Sequence, residues 1–118
     1  LAEEALTGCE ALLAETKRDT AVGFALFFHN YSTFKTNAGL YLEDLFVRPT
    51  YRGEGIGLNL FRRVAQIAQE RGCRRIDWAV LNWNQEAIDF YDSLGAEPLD
   101  DWTTRRLDED GIESLASD

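Results

Sequence analysis

Val47-Arg48-Pro49-Thr50-Tyr51-Arg52-Gly53-Glu54-Gly55-Ile56-Gly57 is the stretch on which the fold turns. The apolar run Leu40–Val47 (LYLEDLFV) leads into it and has strand character. Behind it, Ile56, Leu60, Phe61, Val64, Ile67 and Ala68 recur at helical spacing, and Gly72 supplies the stop. The stretch is therefore a strand-to-helix turn. Its three glycines let the backbone turn tightly and come close to a ligand. The helix behind offers unpaired N–H groups and the positive end of its dipole. Together these suit an anion such as phosphate, and Arg52 adds a charge-assisted donor at the mouth. Two familiar phosphate loops are excluded. No Lys-Ser/Thr follows the last glycine, and Gly53-Glu54-Gly55-Ile56-Gly57 lacks the dinucleotide GxGxxG spacing. From the loop alone, a glycine-rich turn without a ligand remains an alternative.

Working outward, residues 7–15 (TGCEALLAE) read as a short strand and Thr16–Thr20 as a polar turn. Ala21–Tyr31 is rich in aromatic and branched residues, as a strand requires. Residues 32–39 read as a loop. With Leu40–Val47, these strands predict an antiparallel meander joined by short connections. Downstream, Arg75–Trp83 (RIDWAVLNW) predicts another strand. Asn84 can cap a helix whose buried face is Ala87, Ile88, Tyr91 and Leu94, and Gly95 ends it. Residues 96–108 read weakly as a last strand, and the acidic tail as short helix or frayed chain. The order β-β-β-α-β-α-β, with no repeats and no linker-like segment, predicts a single α/β domain over residues 1–118.

The chain has 118 residues and a net charge of −9, from 21 Asp and Glu against 12 Lys and Arg. Such a surface repels phosphate backbones, so nucleic acid is an unexpected partner, while cationic ligands are attracted. No run approaches the roughly 18 apolar residues of a membrane span, so no membrane partner is expected. Cys9 and Cys73 have no CxxC spacing, and His29 is the only histidine. Neither a zinc site, a disulfide framework nor a histidine-based triad is indicated. The expectation is no metal and a cytoplasmic location. The chain starts at Leu1 and has no Met, as a piece of a longer chain would.

Arg52-x-x-Gly55-x-Gly57 after a strand resembles the acetyl-CoA signature of the GNAT acetyltransferases. Asn84-Gln85-Glu86-Ala87-Ile88-Asp89-Phe90-Tyr91, followed by Gly95-Ala96, resembles a second segment of that family, in the same order. Tyr41–Val47, Tyr51–Gly57 and Trp83-Asn84 are similar to the spermidine/spermine branch, which includes enzymes acting on diamines and thialysine. The resemblance covers roughly residues 22–107. It implies a GNAT fold, with a mixed, mostly antiparallel central sheet and flanking helices. Its usual N-terminal strand and helices are shortened or missing, since only about 20 residues precede Val22. In two places the chain departs from the branch. Asp77 stands where a histidine is expected, and Phe34 stands near an expected tryptophan.

The resemblance also implies roles. Acetyl-CoA is the co-substrate, and a small cationic amine is the acceptor. Leu45, Phe46 and Val47 hold the pantetheine arm and polarise the thioester carbonyl through backbone groups. Arg52, Gly53, Glu54, Gly55, Ile56, Gly57 and Leu58 hold the pyrophosphate. Asn84 and Ala87 contact the cofactor from the other side. Tyr91 is the general acid toward sulfur, and Glu43 is the base, acting through water. Phe34, Glu43, Asp44 and Asp77 line the acceptor site. Glu43 and Asp44 are adjacent, so on a regular strand they face opposite ways, and both can serve only if a bulge turns one of them. Trp78 and Trp83 are expected as core or pocket walls. Alternatives stay open. The competing readings are Glu43 as a surface residue paired with an arginine and Tyr91 as a packing residue on its helix. The other readings are a module that binds acetyl-CoA without turning it over, an interaction fragment with an empty loop, and an enzyme acting on amino acids, aminoglycosides or proteins. Enzymes of the branch are homodimers, which predicts a homodimer here.

Overall fold

The computed structural model describes residues 2–6, 8–32 and 37–117. They fall into two compact units that divide between Ala79 and Val80. The first unit is a five-stranded sheet in the order β1-β2-β3-β4-β5 with one helix. Its strands are β1 (Ala2–Leu6), β2 (Cys9–Glu15), β3 (Ala21–Ser32), β4 (Asn37–Val47) and β5 (Ile76–Asp77). The first four pair antiparallel in sequence order, and β5 runs parallel to β4. That parallel pairing needs a crossover, and helix α1 (Ile56–Glu70) supplies it. The meander forms as its sequence pattern predicts, but the expected loop of residues 32–39 is shorter, because Ser32 belongs to β3 and Asn37–Gly39 to β4. A strand at Ala2–Leu6, which the pattern does not anticipate, extends it by one.

Helix α1 packs on β2, β3 and β4 through Leu60, Phe61, Val64, Ile67 and Ala68, all buried. Burial of each large side chain among them is worth about 1.5–3 kcal/mol. Facing them are Leu12, Ala25, Phe27, Leu40 and Leu42. Gly23 lets the helix approach. A Cβ there would lie 2.8 Å from Phe46 O and 3.3 Å from Leu60 Cδ1. Trp78 stacks edge-on against Phe61, with centroids 4.9 Å apart, so it is a core wall as expected.

The pairing of β3 with β4 shifts register between Leu26 and Phe27. Leu26 pairs with Asp44 and Phe27 with Leu42, which leaves Glu43 as an extra, unpaired residue. This is a β-bulge. It changes the phase of the strand. Before it, the buried side chains are Leu40 and Leu42, while Gly39 is covered by Arg75, and after it the more covered positions are Leu45 and Val47. Glu43 and Asp44 are both exposed.

The second unit contains α2 (Gln85–Ser93) and α3 (Glu109–Ala116). Asn84 caps α2 as predicted, its Oδ1 accepting from Ala87 N at 3.2 Å. Gly95, at φ 87°, closes the end. Asp108 caps α3 by accepting from Gly111 N at 2.9 Å, which settles the tail as helix. Two strand expectations are corrected. Of Arg75–Trp83, only Ile76 and Asp77 join the sheet, and residues 96–108 contain no strand. The first segment has strand-forming side chains, but β propensity is realised only where a partner offers a ladder. The expected α2 face of Ala87, Ile88, Tyr91 and Leu94 contains no buried residue. Trp83, expected as a wall, is 76% exposed.

Candidate active site

The site begins with backbone groups on β4. Arg48 N donates to Val22 O at 2.8 Å, which fixes the phase of the ladder. Bonded and non-bonded pairs alternate along an antiparallel ladder. Asp44 and Phe46 therefore turn their N–H and C=O groups toward β3, while Leu45 and Val47 turn theirs away. Val47 O obeys this phase, because it accepts from Arg52 Nε at 2.9 Å. On that outer side, β5 pairs with β4 only at Leu40 and Tyr41. Among the described residues, the edge from Glu43 to Val47 thus has no strand partner on one side. It presents polar backbone to whatever lies alongside.

The edge leads into the glycine loop. After one 3-10 turn at Pro49–Tyr51, Gly53 and Gly55 have φ of 84° and 81°. A Cβ at either would meet nothing within 4 Å, so backbone conformation rather than crowding requires glycine there. Gly55 is the N-cap of α1 and provides no side-chain cap, and no acidic residue occupies the first turn. The N–H groups of Ile56, Gly57 and Leu58 therefore point from an uncapped helix start, as an anion site requires. Arg52 folds over Phe46, its guanidinium carbon 5.7 Å from the ring centroid, and this contact tethers the cation between loop and edge. An open cleft of about 430 Å³ adjoins the loop, lined by residues that include Val22, Tyr51 and Asn59. The carboxylates of Glu15 and Glu54 also line it and disfavour phosphate there. The helix start is the better anion site.

The bulge puts Glu43 and Asp44 side by side at the exposed part of β4. This meets the condition under which both acids can serve. Asp77 lies on β5 in register with Tyr41 and is ion-paired, Arg75 Nε to its Oδ2 at 3.2 Å. Arg75 Nη2 also donates to Asn30 Oδ1 at 3.0 Å. Spacing along the sequence gives no signal for Asn30 and Arg75, which meet only through the sheet register. Phe34 lies outside the described residues. The remaining candidates, Asn84, Ala87 and Tyr91, share α2 in the second unit. Tyr91 is half-buried with its ring 5.4 Å from that of Phe90. Among the described residues, no group of three His, Cys, Asp or Glu side chains could hold a metal.

A bulged strand edge thus runs into an uncapped, glycine-led helix start. The chain belongs to the acetyltransferase (GNAT) family, whose profile matches residues 2–96. It is 39% identical over 105 residues to thialysine N-epsilon-acetyltransferase of Bos taurus, covering 86% of this chain and 61% of that enzyme. It is 39% identical over 107 residues to L-ornithine N5-acetyltransferase of Arabidopsis thaliana, covering 90% of this chain and 47% of that one. The chain thus spans less than two thirds of the length of either relative. Among solved structures, an integron cassette protein from the mobile metagenome of V. cholerae superimposes with a TM-score of 0.86 at 33% identity, covering 94% of this chain and 68% of that one.

Proposed function

We propose that this chain forms a single domain that transfers an acetyl group from acetyl-CoA to a primary amine of a small cationic acceptor. The acceptor is a diamine, a polyamine or a lysine-like compound, and the amine attacks directly in a ternary complex. One observation carries the reading. The bulge at Glu43 exposes two carboxylates at the head of an open strand edge that ends in an uncapped helix start. The names of the relatives point the same way, since both acetylate amines on amino acids.

In this reading, each group has one task. The N–H groups at Gly55–Leu58, with Arg52, bind the pyrophosphate, and the outward backbone of Leu45 and Val47 binds the pantetheine arm. Glu43, through water, takes a proton from the acceptor ammonium, which frees the nitrogen lone pair. A C–N bond forms as the C–S bond breaks, with backbone donors on β4 stabilising the oxygen. Tyr91 returns a proton to sulfur. Asp44 holds the positive charge of the acceptor.

Calorimetric titration with acetyl-CoA, then thiol release over diamines, polyamines, lysine and thialysine, tests this. Binding and release on at least one amine are expected. Glu43→Gln and Tyr91→Phe should each lower turnover about a hundredfold or more. Failure to bind acetyl-CoA would sink the assignment of the loop. Binding without release would favour a module that holds the cofactor only. Homodimer assembly and a cytoplasmic location belong to the same reading. Eight large exposed apolar side chains between Leu81 and Leu115 support pairing, and light scattering would test it. No helix among the described residues is long and apolar enough to cross a membrane.

A further inference from the structure

The Arg52 side chain is held by two partners, and neither carries a charge. Its Nε donates to Val47 O at 2.9 Å, and its guanidinium carbon lies 5.7 Å from the centroid of the Phe46 ring. Among the described residues no carboxylate pairs with it. Its terminal nitrogens therefore keep their donors for a ligand. The Phe46 ring has its own support. Phe46 pairs across the ladder with Phe24, and the two ring centroids are 5.8 Å apart. A Cβ on Gly23 would meet Leu60 of α1, so Phe24, the next residue on β3, faces the other side of the sheet. Phe46 stands beside it there. The ring thus draws the Arg52 guanidinium toward the face opposite α1.

The same loop contains a carboxylate two residues after Arg52. Glu54 lines the cleft with Ile56 and Asn59 of α1. A guanidinium and a carboxylate this close along the chain attract each other. Their pairing would cancel the charge that a phosphate needs. An aromatic face attracts a guanidinium without neutralising it.

We infer that the side chain of Phe46, backed by Phe24, is a positioning residue for the acyl donor: it holds Arg52 away from Glu54, with its charge free for the pyrophosphate of acetyl-CoA. This rests on the glycine loop being the pyrophosphate site. The helix-start N–H groups then meet the pyrophosphate from the α1 face and the Arg52 donors from the other. Because the guanidinium is ordered beforehand, less side-chain freedom is lost on binding.

The test is titration of the wild type and its variants with acetyl-CoA and with S-acetylpantetheine, the same arm without the pyrophosphate. The ratio of the two affinities is the readout, since a general loss of fold would lower both. Arg52→Gln should reduce that ratio about tenfold or more. Phe46→Leu, which keeps an apolar side chain on the strand, should reduce it about threefold to tenfold. Phe46→Tyr, which keeps the ring, should preserve it. Glu54→Gln should raise acetyl-CoA affinity more in the Phe46→Leu background than in the wild type, because the carboxylate captures Arg52 only once the ring is gone. A Phe46→Leu variant that weakens both ligands equally, or that keeps the wild-type ratio while Arg52→Gln loses it, would overturn the inference. So would a Glu54→Gln gain of the same size in both backgrounds. If Arg52→Gln also keeps the wild-type ratio, the pyrophosphate reading of the loop falls first, and the inference with it.

Discussion

All twelve buried apolar side chains among the described residues lie between Leu12 and Ala68, while no described residue after Ala68 is buried. The two units hold their order by different means. The first buries a sheet face under α1, so its stability comes from apolar area and close packing. The second is built from short helices with well-formed ends, at Asn84 and Gly95 for α2 and at Asp108 for α3. Its large apolar side chains are exposed, including Trp102 and Leu115. Helices of eight or nine residues are marginal on their own, and local capping is a large part of what favours them. The first unit should therefore respond to changes of volume, and the second to changes of hydrogen bonding at helix ends.

The sharpest test of that contrast is truncation. Phe27→Ala, at a fully buried position, should lower unfolding free energy by about 3–5 kcal/mol, whereas Leu115→Ala should change it by less than about 0.5 kcal/mol. Denaturant melts of both variants would show it. Similar losses from the two would break the comparison. A smaller effect is expected from Asn84→Ala, about 1 kcal/mol, seen as earlier amide exchange within α2 and little change in β3 or β4.

The smallest effect is electrostatic and again belongs to the first unit. Arg71, at the end of α1, grips the Glu10 carboxylate on β2 with both terminal nitrogens, one of them at 2.7 Å from Oε1. That hydrogen bonding, with the charge of Arg71 and a contribution from His29, holds the Glu10 carboxyl below the ordinary value of 4.5 against the opposing effect of burial. A lowered folded value means that the contribution is complete above 4.5 and is lost as pH falls through the folded value. Glu10→Gln should therefore flatten the fall of stability below pH 4.5, by about 1 kcal/mol or less, in melts across that range.

Much of this was legible along the chain, and the reasons are physical. The α1 stripe and the glycines at 53, 55 and 72 are local signals, because period and positive φ need no partner. The helix start at Asn84 is local for the same reason. Pairing is not local. Arg75–Trp83 has the side chains of a strand, yet only two residues find a ladder. Adjacent acids at Glu43 and Asp44 raise the question of a bulge, but only the register with Leu26 and Phe27 answers it. The contact of Arg75 with Asn30 spans 45 residues of sequence and had no signal at all.

The bulge at Glu43 also means that β4 is written in two reading frames. Up to Leu42 the even-numbered positions face the core, and from Leu45 the odd ones do. Excising one residue there would merge the frames, and one half of the strand would present its apolar side chains to solvent. A deletion at this point should therefore be harsher than any single replacement. In a library of variants, Glu43 should tolerate other letters of the alphabet for folding while the length of the word stays fixed.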